Sequence, residues 1–415
     1  MQELTINAVG AQGDGLSRLG DGKPAFVPLT LPGETVLAHM DGARAEIAEI
    51  LTASPDRVEP VCRHFGACGG CALQHWAAEP YRAWKAEQIR IQLSMEGLET
   101  EILPTFAAPP ASRRRVALHA RKGGKGQGAR LGFKERRSWN LVPIEECPVT
   151  DPRLVAAFPA LARLAEPFLE HPKSAPTLHV TMTGTGLDID VTGVERKSGG
   201  LSADARMRAA MAASEGDFAR VTLAGEIVYG ARQPLVKLGP AVVALPPGAF
   251  LQAVPAAERA MVDFAVAEAQ GASRIADLYC GVGTFTFRLA EVGSVHAAEM
   301  NPQAIAALKA AIGATPGLKP ITAEARDLVK RPVLSTELAK TDVVVIDPPR
   351  AGAAEQTVEI AKSKVAKVVG VSCNPGTFAK DARALVDAGF RLEKVLPVDQ
   401  FVWSPHIELV GVFTR

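Results

Sequence analysis

A cysteine, Cys373, ends the apolar run Val368-Val369-Gly370-Val371-Ser372 and is followed by the turn formers Asn374-Pro375-Gly376. Twenty-six residues earlier, Val343-Val344-Val345-Ile346 ends in Asp347-Pro348-Pro349-Arg350. Thirty-five residues later, His406-Ile407-Glu408 heads the run Leu409-Val410-Gly411-Val412-Phe413. A thiol with two carboxylates can do covalent chemistry. The sulfur adds to an electrophilic carbon, and a carboxylate moves the proton that lets the sulfur leave again. Val-rich runs ending in turn formers predict buried parallel strands. Ligands of open α/β sheets bind at the carboxyl ends of such strands. Cys373 is therefore expected to face a site, against the plain alternative of a packed core cysteine.

A third segment supplies a loop. Asp277-Leu278-Tyr279-Cys280-Gly281-Val282-Gly283-Thr284 follows a strand pattern and opens a helical one. Its glycines let backbone approach a ligand closely, without the full dinucleotide fingerprint. Glu299, 22 residues past Asp277, ends the next strand pattern, where a carboxylate can hold both ribose hydroxyls. Loop, acidic strand end and Asp347-Pro348-Pro349 together fit S-adenosylmethionine. A methyl transfer to oxygen or nitrogen needs no cysteine, whereas the C5 carbon of a pyrimidine is a poor nucleophile. A thiolate added at C6 turns C5 into an enolate carbon, and a base must later remove the C5 proton. Cys373 suits the first role and Glu408 the second. Asp347 is placed to accept a hydrogen bond from the ring N3–H or to orient the substrate.

Four further cysteines form a separate set. Cys62, Cys68 and Cys71 stand as C-x5-C-x2-C in a glycine-rich stretch, and Cys147 precedes Pro148. Such loops do not make cores, so metal or cluster ligands are expected. A [4Fe–4S] cluster suits four thiolates with no second C-x2-C pair, with zinc as the alternative.

These groups need scaffolding. A chain of 415 residues predicts two or three domains. Residues 1–52, with short apolar stretches between Gly-rich turns, predict a small OB-like β-barrel of about five strands. Residues 53–250 predict a mainly antiparallel α+β region with one amphipathic helix over 79–97. From 251 to 415 strands alternate with helices over 256–269, 285–292 and 302–313. That pattern predicts a Rossmann-like doubly wound sheet with an antiparallel strand added at its end.

Charge is nearly balanced, with 46 basic and 45 acidic residues. Its distribution is uneven, because Arg113 to Arg137 holds ten Lys/Arg against one acid, Glu135. That run is a candidate phosphate contact or a solvated face. No secretory signal or spanning apolar run is visible, which predicts a cytoplasmic chain with no membrane partner and reduced cysteines.

The ordered set Cys62-x5-Cys68-Gly69-Gly70-Cys71, Cys147, Gln252, Asp277 to Phe285, Asp347-Pro348-Pro349-Arg350, Ser372-Cys373-Asn374-Pro375 and His406-x-Glu408 resembles the RNA 5-methyluridine methyltransferase family. The resemblance spans nearly the whole chain, and residues 1–52 resemble a TRAM domain. It implies uracil-C5 methylation of RNA by S-adenosylmethionine, with Cys373 as nucleophile and Glu408 as base. Gln252, Tyr279, Glu299 and Asp347 would line the cofactor site together with Gly281, Thr284 and Asp327. It also implies a [4Fe–4S] cluster on the four cysteines and, by the family branch carrying both barrel and cluster, 23S ribosomal RNA in preference to transfer RNA. No obligate protein partner is evident, and a monomer is expected. Gln252-Ala253-Val254-Pro255 lacks the Asn of the Gln-x-Asn that the family often has, and Val402 and Ser404 stand where it tends to have Pro and Thr. The target base must be flipped out of folded RNA, and Phe250 or Trp403 could fill the space it leaves. Two other readings are base amino methylation, which leaves Cys373 and Glu408 idle, and a non-catalytic RNA-binding iron–sulfur protein.

Overall fold

The structure is a computed structural model that describes residues 1–124, 126–195 and 200–415; Lys125 of the basic run lies outside them. Its largest sheet has nine strands and belongs to the C-terminal part of the chain. Ser294–Glu299, Arg274–Leu278, Val343–Ile346 and Lys367–Ser372 run parallel side by side, with Ile321–Ala325 outside Ser294–Glu299. All four residues of Val343–Ile346 are buried, as expected of a central strand covered on both faces. Glu408–Thr414 then pairs antiparallel with Lys367–Ser372, as the sequence predicts. The order of these strands brings Asp347, Cys373 and the glycine loop to one end of the sheet.

Several elements escape the periodicity. Arg391–Asp399 is a strand antiparallel to Glu408–Thr414, and it carries Glu101–Ile102 and Phe106–Ala107 on its outer edge. Segment 53–250 thus lends two short strands to the C-terminal sheet. Helix Ala78–Met95 joins them, burying Ile89 and Leu93 in the same core as Leu98, Phe378 and Phe390. The helix expected over 285–292 shortens to Thr286–Leu289. Helices Pro255–Glu268 and Pro302–Ala314 lie where the spacing puts them, each with proline in its first turn.

The remaining sheets are predominantly antiparallel. Residues 1–52 form six strands in one sheet, around Leu4, Ile6, Val27, Val36 and Ala38. A seven-stranded sheet in the middle of the chain is built from Arg115–Lys122, Ala129–Lys134, Leu141–Pro143, Thr177–Thr183, Gly186–Thr192, Arg220–Leu223 and Glu226–Gly230. Its inner face is covered by helices Phe158–Ala165 and Ala203–Glu215 packed on Leu118, Leu178, Val180, Ile189 and Val191.

Candidate active site

Strand ends and loops do the positioning. Tyr279 follows strand Arg274–Leu278 with φ +62°, a left-handed conformation uncommon for a non-glycine residue. Gly281 and Gly283 continue the turn at φ +56° and +100°. A Cβ on Gly283 would lie 2.6 Å from Phe287, so only glycine permits this close packing. The turn is held by Glu299, whose carboxylate accepts from the backbone N–H of Gly281 at 3.2 Å and of Asn301 at 2.8 Å. Beneath it, buried Asp277 accepts from the Thr286 hydroxyl at 2.5 Å, and burial pushes its carboxyl up to about 7. Asp327 accepts from the N–H groups of Val329 and Lys330.

Cys373 is half-buried immediately before helix Pro375–Asp387, which Asn374 caps by accepting from the Gly376 N–H at 3.1 Å. Burial raises its thiol pKa, the carboxylates of Glu408 and Asp347 raise it further, and the Arg350 guanidinium opposes them. Glu408 is buried at the start of its strand, and burial pushes its carboxyl up to about 7. Asp347 is held well above the usual carboxylate range by desolvation and by the charges of Glu408 and Asp277.

One cavity of about 890 Å³ connects these groups. Its wall includes Cys373, Glu408, Asp347, Gln252, Tyr279, Gly281, Thr284, Glu299 and Asp327. Cys62, Cys68, Cys71 and Cys147 line the same cavity. His406 is not on that wall; its ring is exposed, edge-on to Phe401. Phe250 lies at the mouth, 66% exposed beneath the Arg115 guanidinium, while Trp403 is part-buried with φ +59°.

Two sets of contacts had no signal in the sequence. Gln252 donates to Asp347 at 3.2 Å and accepts from the Gln400 amide at 2.8 Å, and that amide also donates to Glu408 at 2.8 Å. A chain of two amides therefore joins the two carboxylates. The second set clamps the segment leading to Glu408. Lys85, fully buried on helix Ala78–Met95, donates to Asp399 at 2.8 Å and to the carbonyls of Phe401 and His406. Tyr81 donates to Asp399 and accepts from the Trp403 N–H, both at 2.8 Å. The Trp403 carbonyl accepts from Ala72 and Leu73, next to Cys71. Gln400 stands 148 residues from Gln252 and Lys85 314 from Asp399, so only folding reveals these contacts.

The four cysteines are free thiols, each part-buried. Gly70 donates to the Cys68 sulfur at 3.4 Å and Thr150 to the Cys147 sulfur at 3.2 Å. Burial pushes Cys71 up to about 12, and negative charge on Cys147, Cys68 and Cys62 adds to this. Burial also raises Cys62 and Cys68, and these raised thiols, with donors aimed at the sulfurs of Cys68 and Cys147, fit a bound cationic centre that would favour the thiolates. Among the described residues, no three His, Cys, Asp or Glu side chains are gathered tightly enough to hold a single metal ion. No helix there is long and apolar enough to cross a membrane.

The profile of the family described as tRNA (Uracil-5-)-methyltransferase matches residues 242–415. An uncharacterized RNA methyltransferase of Caulobacter vibrioides is 88% identical over the whole of both chains. The 23S rRNA (uracil(1939)-C(5))-methyltransferase RlmD of Halomonas elongata is 34% identical, over 98% of this chain and 88% of its own. Among solved structures, the Pyrococcus abyssi tRNA (uracil-54, C5)-methyltransferase in complex with S-adenosyl-L-homocysteine superposes with a TM-score of 0.72 at 23% identity, covering all of both chains.

Proposed function

The chain belongs to the RNA uracil-C5 methyltransferase family, and from that premise we propose that it methylates C5 of a uridine in 23S ribosomal RNA through a covalent bond between Cys373 and C6. The observation that carries this reading is the meeting of Cys373 and buried Glu408 in one cavity, with Glu408 raised to about 7.

Gln252, Tyr279, Gly281, Thr284, Glu299, Asp327 and Asp347 would hold S-adenosylmethionine, which when bound supplies an electrophilic methyl carbon to the activated C5. The Cys373 sulfur forms a bond to C6, and the C5=C6 electron pair moves to give an enolate at C5–C4–O4. After C5 has gained its methyl, the Glu408 carboxylate takes the C5 proton. The electrons of that C–H bond restore C5=C6, and the C6–S bond breaks to release the thiolate. A base with a pKa near neutrality serves this step, since it is ionised in part at working pH yet basic enough to act. Asp347, with its carboxyl raised, is suited to hydrogen-bond the uracil N3–H and O4 edge.

Incubation with RNA carrying 5-fluorouridine at the target is the test. Fluorine replaces the proton that Glu408 would remove, so a protein–RNA adduct stable to denaturation should accumulate with the wild type and not with Cys373→Ala. Turnover by Cys373→Ala would sink the covalent route. Ribosomal RNA is preferred because RlmD matches along nearly the whole chain. The family profile is described by transfer RNA, so tRNA is the second reading, and mapping 5-methyluridine in both RNAs decides between them.

Cys62, Cys68, Cys71 and Cys147 are proposed to hold a [4Fe–4S] cluster. Each thiolate of such a cluster binds its own iron, so the four need not converge on one atom. The cluster's part would be structural. Anaerobically purified protein should contain iron and sulfide in equal amounts; zinc without iron would overturn the assignment. The six-stranded N-terminal sheet is proposed as an RNA-binding TRAM-like domain.

A further inference from the structure

Where strands Arg115–Lys122 and Ala129–Lys134 pair, the outer face of the seven-stranded sheet is basic and open, whereas Asp188, Arg220 and Thr222 further across it are buried. Side chains alternate along a strand, so the buried Val116, Leu118 and Ala120 turn Arg115, Ala117, His119 and Arg121 the other way. On the neighbouring strand Arg130 lies directly opposite Arg121. On the other side His119 faces Thr177, and Ala117 faces His179. Burial lowers the pKa of His119, and the charges of Lys134, Arg121 and His179 lower it further, so these groups share one surface.

Two features of this face do nothing for stability. Like charges directly opposite on paired strands are destabilising, yet Arg121 and Arg130 are so placed. Ion pairs of the region bind Arg114 to Glu258, Arg136 and Arg137 to Asp14, and Arg220 to Asp188. Among the described residues, Arg121, Arg130 and Lys134 have no acidic partner at ion-pair distance. Trp139, in the turn after Lys134, is 79% exposed, with the Lys134 ammonium 3.7 Å from its ring centre. A large exposed indole beside unpaired cations is poorly suited to water and well suited to a stacked base between phosphates. The face also leads to the chemistry: Arg115, Ala117, His179 and Thr181 form part of the cavity wall.

We propose that this sheet face is a track for single-stranded RNA flanking the target uridine, with Arg121 and Arg130 on successive phosphates and Trp139 as a base-stacking platform beyond them. The proposal rests on the reading of the protein as an RNA enzyme, and it assigns to the sheet a role that the methylation chemistry does not require.

The test is binding of a labelled single-stranded oligouridylate at a series of salt concentrations. Each phosphate contact on a single strand contributes about 0.7 to the slope of log K against log salt. Arg121→Ser with Arg130→Ser should therefore flatten the slope by about 1.4, while the double Lys variant keeps it. Trp139→Ala should weaken binding about fivefold or more, as loss of one base stack does, and wild-type tryptophan fluorescence should be quenched by the RNA. Binding of S-adenosylhomocysteine reports that each variant is folded. An unchanged slope and affinity in folded variants would overturn the track even if the wild type methylates RNA. A wild type that methylates no RNA would overturn the function and leave the binding result to stand or fall by itself.

Discussion

Two groups of thiols share one cavity, and their surroundings differ in kind. Around Cys373 burial raises the thiol, the charges of Glu408 and Asp347 add to it, and the Arg350 guanidinium opposes them. Around Cys71 burial again raises the thiol, a hydrogen bond with Gln74 opposes it, and the charges that add to it are those of the other three cysteines. The first arrangement lets a sulfur gain and lose its negative charge, as a nucleophile must. The second makes a thiolate costly unless a positive centre is bound. One cavity thus holds a thiol beside a guanidinium and thiols beside one another.

The sharpest way to break this contrast is at the base. Glu408→Gln should lower kcat about 10²- to 10⁴-fold while the covalent RNA adduct accumulates, because the first bond still forms. Wild-type turnover in this variant, measured by methyl incorporation, would remove Glu408 from the mechanism. Cys71→Ser should lose iron and lower the thermal midpoint, with a smaller fall in kcat than at Glu408, since the proposed cluster would take no part in the chemistry. An equal loss of kcat in folded Cys71→Ser would erase the distinction between the two regions.

Gln400→Met sharpens the comparison more gently. The Gln400 amide donates to Glu408 and so lowers its pKa against the upward push of burial. Without it the Glu408 pKa should rise by about one unit, since a hydrogen bond to a charged group contributes about 1.5 kcal/mol. The base must be ionised, so the acidic limb of the kcat–pH profile should move to higher pH. A profile that stays in place would show that Gln400 only fills space.

The smallest effect is on stability. Asp277 and Glu408 are both raised by burial to about 7 in the folded protein. The folded state therefore binds more protons than the unfolded one between their ordinary carboxylate values and about 7. Stability should fall as pH rises through that window and level off above it. Thermal midpoints measured across the window in wild type and Glu408→Gln check the sign, and the variant should show the shallower dependence.

Residues alone determined a good deal. The strands ending at Asp347 and Cys373, the glycine turn before Gly283 and the antiparallel strand beginning at Glu408 were all readable. In each, burial on both faces demands a continuous apolar run, and a ligand-facing end demands polar or small residues. Strand Arg391–Asp399 was not readable, because its alternation is broken by a bulge between Leu392 and Lys394. The short pairs at 101–107 are too brief for any period to appear.

Tertiary structure alone decided which distant groups act on one another. No local rule links Gln252 to Gln400, 148 residues apart, or Lys85 to Asp399, 314 apart. Period and turn chemistry act over a few residues and so are written in the chain. A hydrogen bond between remote side chains depends on how whole sheets and helices come together, and that is settled only when their apolar faces are buried.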